Sequence, residues 1–299
     1  MVGIILAGGS GSRLYPSTQV VSKQLLPVYS SPLIYHSLCF LMRSGIKQFV
    51  VITNTHNVEP FRQMLGTGSQ WGVEIIIVPQ DKPNGLAEAY ILAEPYAKGR
   101  DTVLMLGDNM FYGADISGEI NCVESRMYKD LGFSIFGYHV KDASRYGVIE
   151  FEKKGSQCHV ISVEEKPKKP KSNYAAVGLY IALPDVFERA RAVKPSARGE
   201  LEITDVMQTY LDERRLHTTI FNRGTVWLDA GTTDSLAEAS NFVEAVEKRS
   251  GQMIACPEEI ALKRGYVTDT EMINTIDRIP ECDYKNYLKS VTNDHTKTL

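Results

Sequence analysis

The chain has 299 residues, 33 Lys+Arg against 36 Asp+Glu, and a formal net charge of −3. That balance excludes a protein that holds nucleic acid or an acidic membrane surface through concentrated positive charge. With 43% hydrophobic residues it also excludes extended disorder, and the length allows one large domain or a domain with a smaller appendage. Cys39, Cys122, Cys158, Cys256 and Cys282 are scattered and never form C-x-x-C, so a reduced, cytoplasmic setting is expected rather than a zinc site or disulfide framework. No apolar run reaches the roughly 18 residues a membrane helix needs. The start, MVGIILAGG, reads as folded structure rather than a signal peptide.

In chain order, Val2 to Leu6, Phe49 to Thr53, Glu74 to Val78 and Thr102 to Leu106 read as buried strands. Between them, Pro32 to Arg43, Val58 to Leu65 and Leu86 to Tyr96 read as helices. Alternation of this kind predicts right-handed βαβ crossovers and a mainly parallel sheet covered on both faces, up to about residue 130. Phe133 to Val140, Gly147 to Phe151 and His159 to Val163 then follow closely, which predicts an antiparallel or mixed portion rejoined by Tyr174 to Leu183. Helices are expected at Pro184 to Ala192 and Ile203 to Glu213, and strands at Thr218 to Phe221 and Val226 to Leu228. From Thr233 to Lys248, Leu236, Ala239, Phe242, Val243 and Val246 share one helical face, with Thr232 or Thr233 as N-cap. Pro257 to Val291 reads as short helices, and the closing NDHTKTL as a frayed end. The fold class expected is a Rossmann-like α/β sheet, mixed but mainly parallel and flanked by helices.

Gly8, Gly9 and Gly11 follow the first strand, where bare backbone can approach a phosphate chain. A dinucleotide fingerprint started at Gly9 fails because Leu14 occupies the third glycine position. A Walker loop started at Gly8 fails because Arg13 and Leu14 stand where Gly-Lys is required. What remains is a glycine loop followed by two cations, Arg13 and Lys23. Asp108 ends the apolar run TVLMLG, at the strand edge where α/β sheets bind ligands, and Asp229 ends Val226 to Leu228 in the same manner. Paired carboxylates of this kind suit Mg²⁺, which takes one or two carboxylates together with substrate phosphates. The six histidines form no comparable constellation.

The run L-A-G-G-x-G-x-R-L-x-P, completed by KQLLP at Lys23 to Pro27, resembles the signature of the sugar-1-phosphate nucleotidylyltransferases. GSQWG, LGDNMFYG, RYGV, EEKP, KSNYAAVGLY, PSARGELEITD, WLDAGT and CPEEIA extend the resemblance over nearly the whole chain, toward its thymidylyl-transferring members. Ser12 and Ala230 depart from the pattern, each standing where threonine is usual. The resemblance implies transfer of a thymidylyl group from dTTP to α-D-glucose 1-phosphate, giving dTDP-glucose and pyrophosphate at the head of dTDP-rhamnose synthesis, with Mg²⁺ as cofactor.

It also implies the roles of individual residues. Leu6, Gly8, Gly9, Ser10, Gly11, Ser12, Arg13, Gln24 and Asp108 would surround the nucleotide, with Arg13 near the leaving pyrophosphate and Lys23 near the α-phosphate. Gln80, Pro83 and Gly85, in the pattern Q-x-x-P-x-G-L-A, would face the base. Tyr146, Gly147, Glu165 and Val177, with Asn109 and Tyr180, would line the sugar pocket, while Lys166 and Arg198 hold its phosphate. Asp108 and Asp229 would carry the metal, and Gly113, Arg223 and Glu258 would belong to a second, inhibitory nucleotide site answering to dTDP-rhamnose. The expected organisation is a transferase domain over residues 1–250 and a helical segment over residues 251–299, in a homotetramer. Within the domain, nucleotide binding is expected from residues 1–130 and sugar binding from residues 131–230. Neither nucleic acid nor membrane is an expected partner. A uridylyltransferase or an enzyme for another hexose 1-phosphate is the nearest alternative, and a noncatalytic nucleotide-sugar sensor is the alternative of another class.

Overall fold

The computed structural model describes residues 1–113, 118, 120, 132–155 and 157–298. Cys122 and the boundary expected near residue 130 lie outside the described residues. The first strand, β1 (Val2–Leu6), lies inside the sheet. The chain then passes a short ribbon of β2 (Pro27–Val28) and β3 (Ser31–Pro32) into α1 (Leu33–Arg43). It continues through β4 (Gln48–Asn54), α2 (Val58–Leu65) and β5 (Glu74–Gln80), with β4 parallel to β1 and β5 parallel to β4. After α3 (Glu88–Ala97) it returns to the other side of β1 as β6 (Thr102–Leu106), with Val2 opposite Thr102 and Leu6 opposite Leu106.

That return decides where a ligand can sit. The strands here are ordered β6-β1-β4-β5, so the direction of winding reverses between β1 and β6. Connections leaving such neighbours on opposite faces open a crevice at their carboxyl ends. Both faces are filled: Ile5, Val51, Val103 and Met105 pack against α1 and α2, while Val2, Ile4, Val50, Ile52 and Leu104 pack against Tyr90 and Ala93 of α3. Strands buried on two faces explain the unbroken apolar runs GIIL and TVLML.

The rest of the sheet is mixed. β7 (Asn109–Tyr112) leads on to β8 (Phe133–His139), the hairpin β9 (Gly147–Lys154) and β10 (Gln157–Glu165), and the long β11 (Tyr174–Ala182). β11 runs antiparallel to β6, β8 and β9 and joins the two halves. Helices α4 (Val186–Ala192) and α5 (Ile203–Asp212) cover it, and β12 (Leu216–Ile220) pairs in parallel with β8. β13 (Val226–Asp229) pairs with β7 in a separate two-stranded ribbon. β12 begins two residues before the expected Thr218, because its register is taken from β8 rather than from its own apolar residues.

Helix α6 (Thr233–Ser250) buries Ala239 and Val243, with Leu236, Phe242 and Val246 at the edge of the same cluster. Thr232 caps it in a reciprocal box with Ser235, a device worth about 1 kcal/mol. The last helices are α7 (Pro257–Lys263), α8 (Asp269–Asp277) and α9 (Asp283–Thr298). Ile260, Leu262, Met272, Ile276 and Leu288 join the core cluster of α1 and Trp71, so this segment shares the core of the sheet. The NDHTKTL stretch expected to fray falls at the end of α9, which is assigned as far as Thr298.

Candidate active site

A cavity of about 620 Å³ opens at the carboxyl ends of β1 and β6, the place the winding reversal provides. On the β1 side, Leu6, Gly8, Gly9 and Arg13 line it. The loop is held by its carbonyl edge. Thr53 Oγ1 donates to the Ala7 carbonyl at 3.1 Å, Asn54 Nδ2 to Gly9 at 2.8 Å and Thr18 Oγ1 to Gly11 at 2.7 Å. Buried Gln24 adds a longer bond, Nε2 to the Gly8 carbonyl at 3.5 Å, and is itself fixed by Ser22 Oγ at 2.6 Å. Anchoring the carbonyls leaves the amide edge to face an anion. Ser10, Gly11 and Ser12 are not among the lining residues; Ser10 and Ser12 are exposed and bond to each other at 3.3 Å.

On the β6 side, Asp108 meets the Lys23 ammonium in a tight ion pair. The β7–β13 ribbon brings Asp229 into register with Asn109, and the Ala230 amide donates to the Asp108 carbonyl at 3.0 Å. This explains how carboxylates far apart in sequence become neighbours. Burial raises the Asp229 carboxyl above the ordinary carboxylate range, and the nearby Asp108 charge raises it further, against the pull of Lys23, Arg13 and Arg145. Among the described residues no cluster of three or more His, Cys, Asp or Glu forms a metal cage.

Asn109 is only 2% exposed, and its contacts make it a support. Its Oδ1 accepts from Trp227 Nε1 at 2.7 Å and the Gly178 amide at 3.0 Å, while its Nδ2 donates to Asp108 Oδ1 at 3.0 Å. On the far wall lie Tyr146, Gly147, Glu165, Lys166, Tyr180 and Arg198. Tyr180 is buried, which raises its phenol, with Glu165 and Asp108 adding to the shift. Tyr146 is held edge-on to Trp227 at 5.2 Å between ring centres, and the Arg145 guanidinium lies over the Tyr146 ring. Lys166 has the left-handed φ of 43° and its amide donates to the Tyr146 carbonyl at 3.0 Å. Its ammonium lies 3.2 Å from Glu165. Arg198 is paired in two-pronged fashion with Glu202, at 3.1 and 2.7 Å, and also approaches Glu165 and Glu200.

Val177, expected at the sugar pocket, is not among the residues lining the cavity. It is fully buried in the core on the opposite face of β11, and strand alternation gives the cavity to Ala176 and Gly178 instead. On the base side, Gln80, Pro83 and Gly85 line the cavity. Gly85 has φ 112°, and a Cβ there would stand 2.4 Å from the Leu201 carbonyl oxygen. The Leu201 amide donates to the Asn84 carbonyl at 2.6 Å and its carbonyl accepts from Ala87 at 3.1 Å, so the base-side loop is clamped to the segment carrying Arg198. Sequence reasoning missed Arg145, Glu88 and Glu202. Arg145 carried a signal as the first residue of RYGV, and Glu202 as the last acid of PSARGELE, four residues beyond Arg198.

Of the second-site residues, Gly113 packs against the Gly224 carbonyl, 2.6 Å from where a Cβ would stand, and so lies beside Arg223. Glu258 is buried on α7, accepting from the Tyr284 hydroxyl and the Cys256 thiol. Arg223 lines a larger groove of about 1830 Å³ beside β9, β10 and β12. Its described lining includes no carboxylate and none of the glycine loop, so the smaller cavity is where the phosphate-handling groups converge.

The nucleotidyl transferase family model matches residues 2–246, from β1 into α6. This chain belongs to the nucleotidyl transferase family. Among its relatives, the glucose-1-phosphate thymidylyltransferase of Xanthomonas campestris pv. campestris is 45% identical over 97% of this chain and 96% of its own length. That of Mycobacterium tuberculosis is 45% identical over 96% of this chain and 98% of its own. A crystal structure assigned as a Bacillus anthracis glucose-1-phosphate thymidylyltransferase, in complex with a sucrose, superposes with a TM-score of 0.73 at 39% identity. It covers 81% of this nucleotidyl transferase and 95% of that chain. A UDP-glucose pyrophosphorylase bound to UDP-glucose reaches a TM-score of 0.72 at 23% identity, a likeness of fold that spans 83% of this chain and 98% of the other. No helix among the described residues of this family member is long and apolar enough to cross a membrane.

Proposed function

We propose that this nucleotidyl transferase transfers a thymidylyl group from dTTP to α-D-glucose 1-phosphate, releasing pyrophosphate and forming dTDP-glucose. The observation that carries the reading is one cavity lined by the glycine loop, Arg13, Lys23, Lys166, Arg198 and two aspartates. Near-full-length relatives bearing that name agree with it.

Phosphoryl transfer of this kind is mostly positioning and electrostatics. Two unit charges 4 Å apart repel by about 4 kcal/mol at an effective dielectric near 20, so bringing a sugar phosphate onto the α-phosphorus calls for surrounding cations. In our reading the glycine-loop amides and Arg13 hold the β- and γ-phosphates. Lys23 faces the α-phosphate, where its pairing with Asp108 keeps it in place before substrate arrives. Lys166 and Arg198 hold the sugar phosphate, whose own ionised oxygen attacks the α-phosphorus in line with the departing pyrophosphate. A phosphate monoester is largely ionised at neutral pH, so no side-chain base is needed. Glu165 would accept hydrogen bonds from hexose hydroxyls and Gln80 would meet the base.

Asp108 and Asp229 would hold Mg²⁺. The fit rests on their chemistry: hard oxygen donors on adjoining strands, with Asp229 held above the usual carboxylate range by burial and by its neighbour's charge, a strain a divalent cation relieves. When bound, the ion would neutralise phosphate charge. A homotetramer, a cytoplasmic location and inhibition by dTDP-rhamnose through the Gly113 and Arg223 region complete the proposal.

The test is pyrophosphate release from dTTP and glucose 1-phosphate, with and without Mg²⁺. Thymine and uracil differ by one methyl, worth roughly 1–3 kcal/mol at most, so slower turnover with UTP is expected. Absence of turnover with any sugar phosphate would reject the transferase reading and favour a nucleotide-sugar sensor.

A further inference from the structure

Behind Gln80 on the base side of the cavity, and not among the residues that line it, stands a carboxylate that no phosphate or sugar group needs. Glu88, in the first turn of α3, accepts from Gln80 Nε2 at 2.7 Å through Oε2 and from Asn84 Nδ2 at 2.7 Å through Oε1. A carboxylate can only accept, so it fixes which way each amide faces. Gln80 is 3% exposed and has little freedom to turn. Its amino group is committed to the α3 side, which sends its carbonyl toward the glycine loop. Indeed, a Cβ on Gly8 would stand 2.6 Å from Gln80 Oε1.

From this geometry we infer that Glu88 is a specificity-determining positioning residue that locks the Gln80 amide for a 4-oxo pyrimidine and against a 4-amino one. The inference rests on the thymidylyltransferase reading for the identity of the nucleotide. Thymine and uracil present an N3–H donor beside a carbonyl acceptor. Gln80 Oε1 accepts the first, and the second amide hydrogen can donate to the other. Cytosine presents the reverse, an N3 acceptor beside an amino donor. To meet it the Gln80 amide must turn over, placing its carbonyl against the Glu88 carboxylate with no proton between them. A buried acceptor facing an acceptor costs far more than a lost methyl contact, so the lock discriminates where shape alone would not. The helix dipole accounts for an acid in the first turn of α3, but not for both its oxygens being spent on side-chain amides, those of Gln80 in the base-side wall and of Asn84 in the adjoining loop.

The experiment compares wild type, Glu88→Gln and Glu88→Ala, using kcat/KM for dTTP and dCTP with glucose 1-phosphate, and calorimetric Kd values for both nucleotides without sugar phosphate. Wild type should favour dTTP by roughly 100-fold or more. Glu88→Gln keeps shape and folding, but an amide there can donate as well as accept, so Gln80 can lie either way. The dTTP/dCTP ratio should fall on the order of tenfold, carried by KM and Kd, with the KM for glucose 1-phosphate unchanged. Glu88→Ala should lower the ratio similarly. A ratio within twofold of wild type in both variants, with unaltered melting, would overturn the lock. Should wild type release no pyrophosphate, the transferase reading falls alone and the calorimetric ratios still decide the lock. Equal binding of dTTP and dCTP by wild type would reject it outright.

Discussion

Lys166 illustrates what a single residue must satisfy in this cavity. It adopts φ 43°, a left-handed conformation that costs a side-chain-bearing residue about 1–2 kcal/mol. The hydrogen bond its backbone N–H donates to the Tyr146 carbonyl and the packing of Tyr146 on Trp227 hold it there. Such strain is kept where it aims a functional group. If Lys166 stabilises charge only as the sugar phosphate attacks, Lys166→Ala should lower kcat by about 10²–10³-fold with little change in dTTP affinity. Steady-state rates within threefold of wild type would remove it from the reaction. Residues inside dense motifs, such as Arg13 and Lys23, stand out in the sequence. Asn109 as a support and Glu88 as an orienter do not, because each is defined by partners whose direction only packing sets.

The loop from Pro83 to Ala87 and the segment around Leu201 act as a coupled pair of elements. Backbone bonds run both ways between them, and Gly85 is the point of closest approach. The sequence reads here as a base-side turn; the clamp to Leu201 is invisible in it because nothing local marks a contact with backbone so far along the chain. A methyl at Gly85 would collide with Leu201 backbone at 2.4 and 2.5 Å while also facing φ 112°. Gly85→Ala should therefore destabilise the fold by about 1–3 kcal/mol, read as a lower denaturant midpoint. It should also raise KM for both dTTP and the sugar phosphate, since the two loops move together. A rise confined to dTTP would mean that Leu201 follows the loop without passing the strain to Arg198.

Across the molecule, stability and pH are linked through His36, buried on α1 with Nε2 lacking a partner among the described residues. Burial, reinforced by Arg43, depresses its pKa to about 3. An unfolded histidine takes up its proton near pH 6.5, so the unfolded chain binds a proton first as pH falls. The stability from neutral His36 is thus fully present above about pH 6.5 and lost toward pH 3, at about 1.4 kcal/mol per pH unit. Urea denaturation at pH 7 and pH 5 should show wild type losing more stability on acidification than His36→Leu, the difference between the two following that slope. Asp229, raised rather than depressed, acts in the opposite sense, so the difference between the two proteins isolates the histidine. Equal slopes would assign acid loss elsewhere.

The α/β class, nearly every central strand and helix, and the phosphate-handling motifs are legible in the order of amino acids alone. Apolar periodicity and the glycine loop are local patterns, and local patterns survive in a one-dimensional record. Packing in three dimensions was needed to establish that Asp108 and Asp229 share a wall, that Val177 turns away, and that Gln80 faces one way. Strand register and directional hydrogen bonds between distant residues set the wall, the face of Val177 and the Gln80 amide, and neither leaves a periodic trace along the chain.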